Sequence, residues 1–343
     1  MGRVRCNGVR VPSRPAASHS PYARLRCAAV ALSACLASQA GTVQANTEPA
    51  SAPPTPAAPI QEVPVKAPEP RYVAPTLRDS IGRIWAPVMI DGKGPFRLVL
   101  DTGASQSAVT AAVAQALGIP LDMSAMMELR GVTGSAAVPS IRVNSLLVGD
   151  LLINSTQLPI VPDALGGAQG VLGTQGLLDK RIFIDFRHDR ITITRSHLRR
   201  AGYGFITIPL RITPQRLITT TAYVGSVRVV AIIDTGAQVT IANPALRDAL
   251  ARWRAHAKLE DEQIIDTTDA VAKGVAQPVP PIELGDGIII RGARITIGDL
   301  KIFQSWNLAD KPAVLIGMDT LGLVDTLIID YRARVMQIRM PDS

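Results

Sequence analysis

The tetrapeptide Asp-Thr-Gly-Ala occurs twice, at 101–104 and 234–237, and each copy ends a longer repeat. Arg83–Ala104 (RIWAPVMIDGKGPFRLVLDTGA) aligns without a gap with Arg216–Ala237 (RLITTTAYVGSVRVVAIIDTGA), at the spacing of 133 that separates Asp101 from Asp234. A chain that repeats a segment of this length must build one supersecondary unit twice. In each copy a β-rich stretch meets a turn containing Gly92 or Gly225. An apolar strand then follows and ends at the aspartate, the pattern of a β-hairpin whose second strand delivers that residue. Thr110 and Asn243-Pro244 look like helix starts, which predicts short helices over 111–117 and 245–253. Gly170-Val171-Leu172-Gly173 and Val314-Leu315-Ile316-Gly317 read as apolar strands ending in glycine. Ile184-Asp185-Phe186 and Ile329-Asp330-Tyr331 each open a final hairpin. The expected architecture is therefore all-β with short helices, in two lobes at 76–194 and 207–343 joined by a linker at 195–206.

The residues before the repeat are of a different kind. The chain of 343 residues has a net charge of +8, but six arginines within residues 1–45, with no acid beside them, account for +6 and leave +2 for the rest. A nucleic-acid partner is therefore not expected. The three cysteines, Cys6, Cys27 and Cys35, fall in the same segment, so the lobes have neither a disulfide nor a cysteine metal site. The four histidines show no metal-ligand spacing, and no metal or cofactor is expected. An Arg-rich start, an apolar run from Cys27 to Ala37 and small residues beyond read as an export signal. Val43 and Ala45 would place cleavage before Asn46. The alternative is a lipoprotein signal, Leu32-Ser33-Ala34-Cys35, cut before Cys35, which then carries the lipid. Residues 46–75 hold nine prolines among alanines and are expected to be an extended, disordered tether. The expected location is the periplasm or envelope, with membrane contact only through such an anchor.

Two carboxylates suit a particular chemistry. Held about 3 Å apart they cannot both ionise, so they share one proton. The ionised member takes a proton from water while the protonated member hydrogen-bonds the carbonyl under attack. Gly103 and Gly236 would let the backbone turn beneath Asp101 and Asp234 and present N–H groups to them. Thr102 and Thr235 could bond across the lobes. Gly173 and Gly317 would pack behind the two loops and keep them rigid.

These motifs resemble the retropepsin-like aspartic proteases, and more particularly their bacterial relatives. The resemblance rests on apolar-Asp-Thr-Gly-Ala at 98–104 and 231–237, Leu-Gly and Ile-Gly at 172–173 and 316–317, Ile-Asp-Phe/Tyr, and Ile-Gly-Met-Asp-Thr-Leu at 316–321. It covers everything after the tether. It implies two acid-protease lobes forming a pseudo-dimer in one chain, hence a monomer, with Asp101 and Asp234 as the catalytic pair and a peptide or protein as substrate. It also implies a Gly-containing flap, for which Arg130-Gly131-Val132-Thr133-Gly134 is the candidate. The region 266–274 of lobe two lacks that pattern, so one flap or none is expected to operate. Ala104 and Ala237 stand where pepsin-like loops have Ser or Thr that bonds the outer carboxylate oxygen. Losing that bond to the ionised form implies an optimum less acidic than pepsin's.

The same residues admit plainer readings: a duplicated structural turn, a protease-like scaffold that grips a peptide without cutting it, or an envelope lipoprotein. Retention of both aspartates speaks against pure binding. Other hydrolase classes have no support, since GxSxG, HExxH and GxxxxGK are all absent.

Overall fold

The structure is a computed structural model that describes residues 72–75 and 84–341, except 132–133, 150, 164, 255–258, 266–270 and 286. The proposed signal, Cys35, Asn46 and the tether up to residue 71 lie outside the described residues.

After β1 (Tyr72–Pro75), lobe one runs β2 (Trp85–Ile90), β3 (Lys93–Leu100), β4 (Ala108–Thr110), α1 (Ala111–Leu117), β5 (Asp122–Arg130), β6 (Ser135–Val148), β7 (Leu151–Val161) and β8 (Gly170–Leu172). Asp91 and Gly92 both have positive φ, as a two-residue turn matching the strand twist requires, so β2 and β3 form a hairpin. Strands pair in the order β2-β3-β8-β4-β7-β6-β5, and Met89 and Ile90 of β2 also pair with Leu147 and Leu146 of β6. That last pairing closes six strands into a barrel around Val88, Leu98, Leu100, Ile141 and Leu158, all buried. Closure leaves these strands without a free edge. Helix α1 spans the expected residues and ends at Gly118 in the left-handed conformation.

The hairpin of β9 (Lys180–Asp185) and β10 (Arg190–Arg195) leads through the linker to β11 (Ile206–Pro209). Lobe two then repeats the plan: β12 (Arg211–Ile212), β13 (Ile218–Val224), β14 (Val227–Ile233), β15 (Ile241–Ala242), α2 (Pro244–Ala249), α3 (Ala251–Arg254), β16 (Glu260–Ile265) and β17 (Val271–Pro278). Next come β18 (Ile282–Leu284), β19 (Ile288–Ile290), β20 (Arg294–Ile297), α4 (Lys301–Ser305), β21 (Ala313–Ile316), α5 (Met318–Leu321), β22 (Thr326–Asp330) and β23 (Val335–Arg339). Where one long strand, β6, serves lobe one, lobe two has β17 and β18 with Val279-Pro280-Pro281 between them. Proline lacks the N–H a ladder needs, so the strand breaks there. β17 pairs with β20, and β18 pairs with β13 and β19. The single helix expected over 245–253 is two short ones meeting at Leu250. Asn243 starts them as expected, its side chain accepting the Leu246 N–H at 3.0 Å.

A third sheet belongs to both lobes. Its order, β1-β10-β9-β22-β23-β11, reads the same from either end by repeat equivalence, with the pseudo-twofold axis between β9 and β22. Across that axis Ile184 faces Leu327 and Ile182 faces Ile329, all buried. The symmetry extends to single bonds: Phe186 N–H donates to the Asp325 carbonyl at 2.9 Å and Tyr331 N–H to the Lys180 carbonyl at 3.1 Å. Tyr72–Pro75, the last four residues of the expected tether, are thus a strand. Pairing with β10 satisfies their backbone groups, which Pro and Ala content alone could not reveal.

The buried carboxylate of Asp330 ties the lobes from below. It accepts from Ser196 Oγ at 2.7 and 2.9 Å and from Ala333 N–H at 2.8 Å, and meets Arg181 of lobe one at 3.4 Å. Its repeat counterpart Asp185 is only half-buried and holds the exposed His188 at 2.9 Å. Asp330→Ala should cost about 3 kcal/mol, because it strands buried donors and an ion-pair partner. Asp185→Ala should cost about 1 kcal/mol or less. Urea unfolding of the two variants measures the difference, and equal losses would contradict it.

Candidate active site

Asp101 and Asp234 follow β3 and β14 at the same point of each lobe. β3 pairs in parallel with β8, and β14 with β21. The Asp101 N–H therefore donates to the Leu172 carbonyl, and the Asp234 N–H to the Ile316 carbonyl, each at 3.0 Å. Every strand residue in Leu98–Leu100 and Ala231–Ile233 is buried, so each aspartate emerges from a rigid, dry base.

The threonines join the two loops. Thr102 Oγ1 donates to the Ile233 carbonyl at 2.7 Å and accepts the Thr235 N–H at 3.1 Å. Thr235 Oγ1 donates to the Leu100 carbonyl at 2.6 Å and accepts the Thr102 N–H at 3.2 Å. All four bonds cross between lobes, and both threonines are buried.

The glycines act through room as well as through their N–H groups. Neither Gly103 nor Gly236 has a positive φ, so a sharp turn is not what demands glycine. A Cβ on Gly103 would instead collide with the Asp234 carboxylate, and one on Gly236 with that of Asp101. Gly103 and Ala104 N–H donate to Asp101 Oδ1 at 2.8 and 2.9 Å, and Gly236 and Ala237 N–H to Asp234 Oδ1 at 2.8 and 3.2 Å.

Electrostatics follow from this approach. Burial pushes the Asp234 carboxyl well above the ordinary carboxylate range, and the charge of Asp101 and a hydrogen bond with it push the same way. The Gly236 and Ala237 N–H groups oppose this without reversing it. Tyr331, quoted in the sequence only as part of a hairpin, is buried near enough to respond to both aspartates. Burial raises its phenol, and their charges add to the rise.

Gly173 and Gly317 lie against the loops, and a Cβ on either would strike the backbone of Gln106 or Val239. The Gly173 N–H donates to Ser107 Oγ at 3.1 Å and the Gly317 N–H to Thr240 Oγ1 at 3.2 Å. Ser107, Thr240 and Asp319 were not singled out from the sequence. Asp319 accepts from both the N–H and the hydroxyl of Thr240, at 2.9 and 2.7 Å, whereas lobe one has Gln175 at that place in the motif. The difference between Gly-Thr-Gln and Gly-Met-Asp was the available signal.

Gly131 and Gly134 sit at the tip of the β5–β6 hairpin, where the Gly131 N–H bonds the Gly134 carbonyl at 2.8 Å. Val132 and Thr133 lie outside the described residues. Lobe two has a corresponding hairpin, β16–β17, paired up to Ile265 and Val271 despite lacking the glycine pattern of lobe one. Its tip, 266–270, lies outside the described residues. A cleft of about 670 Å³ opens beside Gly103–Gln106, between the β5 end of the first hairpin and lobe-two residues that include Pro214–Leu217 and Trp306.

Residues 86–175 match the family model for aspartyl proteases. The match lies within lobe one and contains Asp101, Thr102, Gly103 and Gly173. Among curated proteins no match is found. The family match ends before lobe two.

A buried acid whose proton affinity rises on folding costs nothing below its unfolded value; the penalty builds as pH rises from that value to the folded one and is constant above it. Asp234→Asn keeps the acceptor for Gly236 and Ala237 but has no charge to bury. At pH 7 it should melt several degrees above the parent protein, an advantage that shrinks as pH falls towards the unfolded carboxyl's value of about 4 and is gone below it. Melting curves at pH 7 and pH 3 test this, and a lower melting temperature at pH 7 would contradict it.

Proposed function

We propose that the chain is an exported aspartic endopeptidase that cleaves peptide bonds with Asp101 and Asp234 as one acid–base pair. The reading is carried by a single observation: each aspartate sits against the glycine of the opposite loop, at a separation held by the Thr102–Thr235 bonds. In that contact the pair shares one proton, and burial together with the neighbouring charge favours Asp234 as its holder. Asp101 takes a proton from a water whose oxygen attacks the scissile carbonyl carbon, while Asp234 gives its proton to the carbonyl oxygen. Collapse of the tetrahedral intermediate breaks the C–N bond. Asp101 then protonates the leaving nitrogen, and Asp234 recovers a proton from the hydroxyl. A peptide would lie along the cleft beside Gly103–Gln106, with the β5–β6 tip over it as a flap.

Incubating the protein with a peptide library from pH 3 to pH 8, with product masses read by mass spectrometry, tests the reading. Asp101→Asn and Asp234→Asn should each abolish cleavage, because the pair acts as a unit. A pepstatin-type inhibitor should do the same. Cleavage that survives both substitutions would overturn the assignment. The inner oxygens of both carboxylates are bonded by N–H groups, while Ala104 and Ala237 bring no hydroxyl to the outer ones. An optimum less acidic than pepsin's should result, and a peak below about pH 3 would contradict this.

Export follows from the N-terminal sequence alone. Residues 1–45 would direct the chain out of the cytoplasm, and the Pro/Ala-rich stretch would hold the lobes away from their attachment. Mass analysis of the mature protein should find a chain beginning at Asn46 or at a lipid-bearing Cys35. A cytoplasmic chain retaining residues 1–45 would rule this out.

A further inference from the structure

We infer that Arg216 makes the cleft beside Gly103–Gln106 a subsite for an acidic side chain, so that the enzyme prefers peptides with Glu near the scissile bond. The inference rests on the peptidase reading and adds a substrate class to it.

Arg216 comes from lobe two, in the turn between β12 and β13, and lines the cleft opposite the first Asp-Thr-Gly-Ala loop. Its backbone has a φ of 66°, a conformation L residues seldom adopt. Thr213 holds it there: its carbonyl accepts the Arg216 N–H at 2.9 Å, its Oγ1 accepts the Leu217 N–H at 3.2 Å, and its own N–H donates to the Leu217 carbonyl at 2.9 Å. An outlying conformation kept at a cleft wall, where glycine or asparagine would fit more easily, is the kind of feature that accumulates at binding sites.

The charges around it are unbalanced. Three charged side chains line the cleft: Glu128, Arg130 and Arg216. Glu128 and Arg130 satisfy one another at 2.7 Å. Arg216 has no ion-pair partner among the described residues, so the lining carries one uncompensated positive charge. The repeat sharpens the point. Lobe two has Asp319 beside its own loop, locked to Thr240, whereas lobe one presents the neutral Gln175 to the cleft. At the Gln175 position lobe one therefore has no carboxylate to repel an acidic ligand, and the carboxylate that does line the cleft, Glu128, is held by Arg130.

The rest of the wall favours Glu over Asp. Leu217 and Ile302 are buried apolar residues at the cleft edge, and Trp306 beside them is held edge-on to Phe303 with ring centroids 6.0 Å apart. Such a wall packs the methylenes of a longer side chain while its carboxylate reaches the guanidinium.

The test uses peptide pairs that differ only by Glu or Gln at each of the four positions on either side of the cleaved bond, with kcat/KM measured at pH 5. The parent protein should prefer Glu about fivefold at one or more positions. At the position read by Arg216, that ratio should fall to about one in Arg216→Gln, and Arg216→Glu should favour Lys there. The preference should also fade below about pH 4, as the substrate's own carboxyl protonates. Absence of a Glu preference at every position, or a preference that both folded variants keep, would overturn the inference. If no peptide is cleaved, the peptidase reading falls by itself. The same pairs, fluorescently labelled, then report by anisotropy: tighter, Arg216-dependent binding of the Glu peptide supports the subsite, and equal binding of the two overturns it.

Discussion

Four hydrogen bonds made by Thr102 and Thr235 across the pseudo-twofold axis hold two loops from different lobes at one separation, and the rest of the molecule is arranged around that contact. The acceptors are the Ile233 and Leu100 carbonyls, the last residues of the two strands that carry the aspartates. A buried hydroxyl that loses such a partner leaves stranded carbonyl and N–H groups, so small changes of lobe angle are penalised sharply. Because Gly103 and Gly236 have no side chain, the separation so fixed is short enough for each carboxylate to meet the other loop.

Fixing the loops this closely sets two demands that the scaffold meets differently. The strands beneath must not shift, and the parallel pairings of β3 with β8 and β14 with β21 anchor each aspartate N–H on its neighbour. The lobes must not rotate, and the shared six-stranded sheet supplies a second connection, reinforced by the buried Asp330 and its contact with Arg181. The cost is electrostatic. Asp234 sits in surroundings that oppose its ionisation, a structure less stable at neutral pH than an uncharged one would be. Such a conflict between stability and arrangement is a mark of functional sites.

The two lobes share a plan without being copies. Lobe one closes as a hydrogen-bonded barrel, whereas the Pro280-Pro281 pair splits the corresponding strand of lobe two. Asp319 on one side answers to Gln175 on the other, and Tyr331 to Phe186. A symmetric pair of aspartates therefore lies in an asymmetric setting, beside a cleft whose walls differ.

Much of this was legible in the residues. The spacing of 133, the apolar strands ending in aspartate and the helix over 111–117 all come from local patterns, because alternation, turn glycines and capping residues act over a few positions. The reason for Gly103 and Gly236 was not legible, since steric conflict with the opposite aspartate exists only once two distant segments meet. The same holds for β1 within a Pro/Ala-rich stretch, which is a strand because it pairs with β10 more than a hundred positions away. Asp319 and Tyr331 looked ordinary for the same reason. By itself the sequence determined that one β unit would be built twice, each copy presenting an Asp-Thr-Gly-Ala loop on an apolar base. Only the tertiary structure decided that the loops face each other within one chain, because the threonine bonds, the shared sheet and the buried charge all join residues more than a hundred positions apart.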